Sequence, residues 1–253
     1  ESETGPVEEI QAEIAEIISP RRLIGQLAVR TERQPYMVTC PEEAQVELVF
    51  DAASFLAQDY PQYQVVFAVA SEKDPALASL KTLLARRAAA PSGSAVKTFL
   101  VVAGYSEERG EKVHNLLQGL AAIVPQTEVL VFADADARPK RDWLRSLVAP
   151  LGDSSVTVST GFSWYLPGES FVSQLRAAWD TSIATMLGDH NHNFAWGGSM
   201  AIRANDFKRL QVAERYWART VSDDYALTRA AREARGRIRF EPRCLVASRE
   251  DSS

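Results

Sequence analysis

Asp134 and Asp136 stand one residue apart, directly after the apolar run Val129-Leu130-Val131-Phe132-Ala133. Carboxylates so spaced at the end of a buried strand can take a divalent cation such as Mg2+ or Mn2+, because hard ions choose oxygen ligands. An ion held by one or two protein carboxylates keeps positions open for phosphate and water. There it could neutralise the negative charge of a phosphate-bearing ligand. The same pair could instead make a turn and cap the helix predicted over Arg141 to Leu151.

Three further groups have chemistry in reach. Lys112 lies at a predicted helix start after Gly110, where the helix dipole and an ammonium both favour phosphate. Trp196-Gly197-Gly198-Ser199 leads into a short apolar strand, and glycines let backbone amides approach a sugar or phosphate. Asp223-Asp224 opens a helix, where adjacent acids commonly serve as N-cap and first-turn residues. Glu72 and Asp74 follow the strand ending at Ala70, where Asp74-Pro75 also reads as a helix cap.

The elements that must carry these residues alternate. Gln64 to Ala70, Thr98 to Val102 and Val129 to Ala133 read as buried strands. Helices are expected from Val46 to Ala57, Pro75 to Ala89 and Glu111 to Val124. Continuous apolar strands between helices indicate an α/β domain with a mostly parallel sheet covered on both faces. Ligands of such sheets bind at the carboxyl ends of strands, where Glu72, Asp74, Asp134 and Asp136 fall. Residues 1–35 read as an extension with an amphipathic helix over Val7 to Ile18, and residues 36–253 as the domain itself.

Taken in order, Lys112, Asp134-Ala135-Asp136, Gly197-Gly198-Ser199 and Asp223-Asp224 resemble the nucleotide-sugar-dependent glycosyltransferases of the GT-A fold. The resemblance is strongest to the ceramide glucosyltransferase type and spans Gln58 to Arg243. It implies a GT-A-like three-layer sandwich and an inverting transfer of a sugar, expected to be glucose from UDP-glucose, to a lipid hydroxyl such as ceramide. On that pattern Asp134 and Asp136 would hold Mg2+ or Mn2+, and Asp134 would also meet the diphosphate. Asp74, Glu72 and Lys112 would help to hold the nucleotide, and Trp196, Gly197 and Gly198 would border donor sugar and acceptor. Asp224 would be the base and Asp223 its supporting neighbour. The family's Gln/Arg-x-x-Arg-Trp motif has no counterpart after Asp224. Either the full-length protein continues to that motif and to adjacent membrane segments, which on the family pattern would set it on the cytoplasmic face of a membrane, or the protein differs from the family there. Two rivals are a catalytically inactive GT-A-like binding domain and a haloacid-dehalogenase-like phosphatase. The phosphatase motif normally continues with Thr or Val, where Ala137-Arg138 stand here.

Bulk properties narrow the field. A net charge of −5 lacks the basic footprint of a nucleic-acid binder. Two cysteines, Cys40 and Cys244, in no metal-like spacing suit a reduced environment, with a single disulfide as the alternative. No apolar stretch approaches the roughly 20 residues needed to span a bilayer, so the chain as given reads as soluble. Arg229, Arg232, Arg235, Arg237, Arg239 and Arg243 make the C-terminal region locally basic, expected as a solvated helix face.

Overall fold

The computed structural model describes residues 52–88, 96–135, 137–168 and 170–249. The helix expected from Val7 to Ile18, the rest of the 1–35 extension, a weak strand expected at 36–40, Cys40 and Asp136 lie outside the described residues, as does the first half of the helix expected from Val46 to Ala57, of which 52–55 are helical.

The chain alternates strand and helix at first. β1 (Gln64–Val69) is followed by α1 (Pro75–Ala88), β2 (Lys97–Val102), α2 (Glu111–Leu120) and β3 (Val129–Ala133). α1 starts on Pro75, whose missing N–H costs nothing in a first turn, with the Asp74 carboxylate accepting from Ala76 N at 2.9 Å. α2 stops at Leu120, short of the expected Val124, because a helix does not run into Pro125. α3 (Trp143–Val148) tightens into a 3-10 turn, Ala149–Gly152. Then come β4 (Val156–Leu166), α4 (Phe171–Ala184), β5 (Ser199–Arg203), α5 (Ala204–Arg209), a π-helical turn at Val212–Tyr216, α6 (Asp223–Glu233) and β6 (Arg237–Arg249).

β1 and β2 pair in parallel as a two-stranded sheet, and the other strands form a four-stranded sheet in the order β3-β5-β4-β6. β5 is antiparallel to both neighbours, while β4 and β6 are parallel. β3, β4 and β6 thus share one direction and β5 alone is reversed.

Side-chain alternation along these strands makes three layers. Leu130 and Phe132 on β3, with Met200 and Ile202 on β5, face a core built with Val113 of α2 and Leu227, Ala230 and Ala231 of α6. Val131, Ala133 and Ala201 face the opposite core, under Trp143, Leu144 and Leu147 of α3. Burial on both faces is why these strands read as unbroken apolar runs. A register shift between Val156 and Val158 sends Val156 to the second core and Val158 to the first.

Gln58 ties the segment before β1 to α3. Its side-chain amide donates to Ser54 O at 2.9 Å and Lys140 O at 3.0 Å, and its carbonyl accepts from Leu144 N at 2.9 Å. Asp142 makes no side-chain cap, so Gln58 satisfies an open N–H of α3 from a distance. No described helix is long and apolar enough to cross a membrane.

Candidate active site

The start of α2 is pinned against the start of α6. Gly110 N donates to Thr220 O at 2.9 Å, and a Cβ on Gly110 would stand 2.9 Å from Val221 O. Only a glycine permits this seam. Across it, Lys112 Nζ lies 3.3 Å from Asp223 Oδ2. The same ammonium lies 2.6 Å from Asp134 Oδ1, at the carboxyl end of β3. One lysine therefore bridges two acids from different layers.

Two glycines close over this bridge. A Cβ on Gly197 would come within 2.7 Å of Lys112 Nζ and 3.0 Å of Asp223 Oδ2. A Cβ on Gly198 would overlap Ser163 Oγ and come within 2.7 Å of Asp134 Oδ2. Gly197 N also donates to Asp224 Oδ2 at 3.2 Å, joining the glycine turn to α6.

The acidic pair divides its roles by burial. Asp223 is 3% exposed; its backbone carbonyl accepts from Trp217 Nε1 at 3.0 Å, and its Oδ2 accepts no formed hydrogen bond. Burial pushes its carboxyl above the ordinary carboxylate range; Lys112 pulls it partly back, and the adjacent Asp224 charge adds to the rise. For Lys112, burial favours the neutral amine, but the charges of Asp134 and Asp223 outweigh it and raise the pKa. Asp224 is only half-buried. Its Oδ1 accepts from Ser222 Oγ and from Tyr225 N at 2.7 Å. Ser222 is the N-cap of α6, and its hydroxyl accepts from Tyr225 N at 3.3 Å.

Of the residues singled out in the sequence, Lys112, Asp134, Gly197, Gly198, Asp223 and Asp224 converge. Trp196 adjoins them: its N–H donates to Thr160 Oγ1 at 2.9 Å, and its ring centre is 4.3 Å from that of Phe162. Its indole N–H is buried without a partner in the structure. Asp74 does serve as the α1 cap, and Glu72 is exposed. Among the described residues no hydrogen bond or ion pair joins either of them to the Lys112 cluster. His190 and His192 sit in an exposed loop organised by the buried Asn193, whose amide donates to Gly188 O and Ile238 O at 2.8 and 3.2 Å. The arginines do not share one helix face: Arg237, Arg239 and Arg243 are on β6. Several are paired internally, with Arg229 on Glu233 at 2.7 Å, Arg239 on Asp189 and Arg243 on Glu241 at 2.8 Å.

Among the described residues no group of three or more His, Cys, Asp or Glu forms a self-sufficient metal cage. The oxygens present suit a cation completed by a ligand's own phosphates. Asp134 is a partly exposed carboxylate, Asp223 Oδ2 and Ser163 Oγ are buried without hydrogen-bond partners, and the glycine turn leaves a cradle that a Cβ would fill.

Sequence reasoning missed Ser163 and Ser222. Ser222 was legible, since serine before an acidic helix start is an N-cap pattern. Ser163 lies on a strand the hydrophobic pattern does not announce.

Acids bridged by a lysine beneath a glycine turn, at the ends of strand and helix, are groups with the charge and the open oxygens that could meet an oxygen-rich anion and its cation. The chain belongs to glycosyl transferase family 21, whose sequence profile matches residues 47–252. This is the ceramide glucosyltransferase family that the ordered motifs resemble, and the phosphatase alternative is left without support. No curated protein matches the chain. Among solved structures it is similar to GalNAc-T7, crystallised with UDP, GalNAc and Mn2+, at 15% identity and a TM-score of 0.46, over 91% of this chain and 57% of that one. A mycobacterial protein shows 14% identity and a TM-score of 0.41, over 81% of this chain and 72% of the other. The chain thus spans little more than half the length of the GalNAc-T7 chain. At such scores the fold assignment rests on the strand order and the family match.

Proposed function

We propose that this domain transfers a sugar, glucose from UDP-glucose being the expected donor, to a lipid hydroxyl with inversion at the anomeric carbon. The observation that carries the reading is the meeting of Lys112, Asp134, Gly197, Gly198 and the Asp223-Asp224 pair in one place. Asp134, with Asp136 two residues further along the sequence, would hold a Mg2+ or Mn2+ ion, which when bound neutralises the leaving diphosphate. Lys112 adds a second positive charge beside it. Asp224 is the base: its carboxylate takes the acceptor hydroxyl's proton as that oxygen bonds to the anomeric carbon. The bond from that carbon to the diphosphate breaks, and its electron pair leaves with UDP. Half-burial lets Asp224 reach an acceptor, whereas Asp223 is enclosed and holds Lys112 in place.

An apolar rim supports a lipid acceptor. Val221 and Tyr225, on either side of the acidic pair, are 83% and 80% exposed. Along α4 and the turn after it, Val172, Leu175, Trp179 and Met186 are also exposed, in keeping with work at a lipid surface.

Calorimetric titration of UDP and UDP-glucose, with Mn2+ and then with EDTA, tests the donor site; binding should require the metal. Asp224→Asn should keep that binding and slow transfer by about 10²–10⁴-fold. Unchanged turnover would remove the base assignment.

A further inference from the structure

Lys112 occupies the place where positive charge is needed most. Its Nζ is 2.6 Å from Asp134 Oδ1 and 3.3 Å from Asp223 Oδ2. Gly197 encloses it so closely that a Cβ there would be 2.7 Å away. Asp223 Oδ2 is buried with no hydrogen-bond partner, so this ammonium is its close compensation. A divalent cation ligated by Asp134 would share that carboxylate with the lysine. Two cations on one carboxylate repel each other, and at 2.6 Å from Asp134 Oδ1 the ammonium is too near for solvent to screen that repulsion fully, although both side chains are partly exposed. Ammonium and metal are therefore alternatives on Asp134 unless new negative charge arrives. A diphosphate brings it.

We propose that Lys112 is the resident counter-cation of the site and excludes metal from Asp134 until a nucleotide diphosphate draws its ammonium away. This rests on the donor-site reading above and adds an order to it. Metal alone is refused, and metal and nucleotide strengthen each other's binding by the same factor, as linkage requires.

The test is Mn2+ titration of the purified protein, followed by the loss of the free-ion paramagnetic resonance signal, with and without UDP. In the wild type UDP should tighten Mn2+ by about tenfold or more. Lys112→Met should bind Mn2+ about tenfold tighter than wild type in the absence of UDP, and most of the gain from UDP should vanish. Lys112→Arg, which keeps the charge, should retain the wild-type pattern. If Lys112→Met binds Mn2+ alone no better than wild type, the lysine is no barrier and the proposal falls. The wild type decides by itself if the methionine variant does not fold: Mn2+ affinity indifferent to UDP also overturns it. Mn2+-dependent UDP binding with no effect of Lys112→Met sinks this proposal alone. No binding of UDP or Mn2+ under any condition sinks the donor-site reading as well.

Discussion

Gly198→Ala adds one methyl group at the most crowded point of the site. The new Cβ would overlap Ser163 Oγ and approach Asp134 Oδ2 to 2.7 Å, so both neighbours must move. Ser163 is on β4 and can yield only by changing rotamer in a buried position, while Asp134 is also tethered to Lys112. Overpacking of this kind costs about 1–3 kcal/mol. For a domain of this size that lowers the thermal midpoint by roughly 2–12 °C. The structure also supplies the rescue. Ser163 Oγ is buried without a partner, so Ser163→Ala alone should be nearly neutral or slightly stabilising. In the double variant the worst overlap is gone, and about half or more of the lost stability should return as a coupling energy. UDP binding in Mn2+ should stay weakened, because the Asp134 contact remains. Urea denaturation of the four proteins, followed by tryptophan fluorescence, measures the cycle. A Gly198→Ala protein as stable as wild type, or a double variant with no recovery, would refute the packing argument.

Gln58→Ala should cost about 1–3 kcal/mol in urea denaturation, since it leaves Leu144 N uncapped and removes one of the two donors to Lys140 O, the other being Trp143 N. Asp223→Asn should change how stability depends on pH. Because burial raises the folded-state pKa of Asp223 above 3.8, its contribution is fully present below that value and lost as pH rises through the folded-state value. Wild type should therefore lose stability relative to Asp223→Asn over the range just above 3.8, and parallel pH profiles would contradict the assignment.

What could be read from the sequence were features written as contiguous runs. Val129–Ala133 is buried on both faces, so its strand and the acids after it stood out. Lys112 and Asp223-Asp224 were legible because helix starts have local chemistry. β4 escaped because Thr157, Ser159, Thr160 and Ser163 are polar yet buried, hiding a strand behind hydroxyls. β6 escaped because it is an edge strand carrying Arg237, Arg239 and Arg243, charges that suit an exposed edge. In α4 the usual helical pattern is inverted: small Ser173 and Ala177 are buried while Val172, Leu175 and Trp179 face outward. The partnership of Lys112 with both Asp134 and Asp223 links residues distant in sequence, which no local pattern encodes.

The strand order β3-β5-β4-β6 sets a timetable for the chain's synthesis. Among the described residues β3 pairs only with β5, which follows it after α3, β4 and α4, so a nascent chain holds Asp134 at the end of an unpaired strand until Ser199–Arg203 has been made. Asp223 arrives later still, and Lys112 must wait for it with one partner missing. Ribosome-bound intermediates up to α5 would thus expose β4 without its outer neighbour and lack the Asp223 partner of Lys112, an interval of exposed strand edge in which association between chains competes with folding.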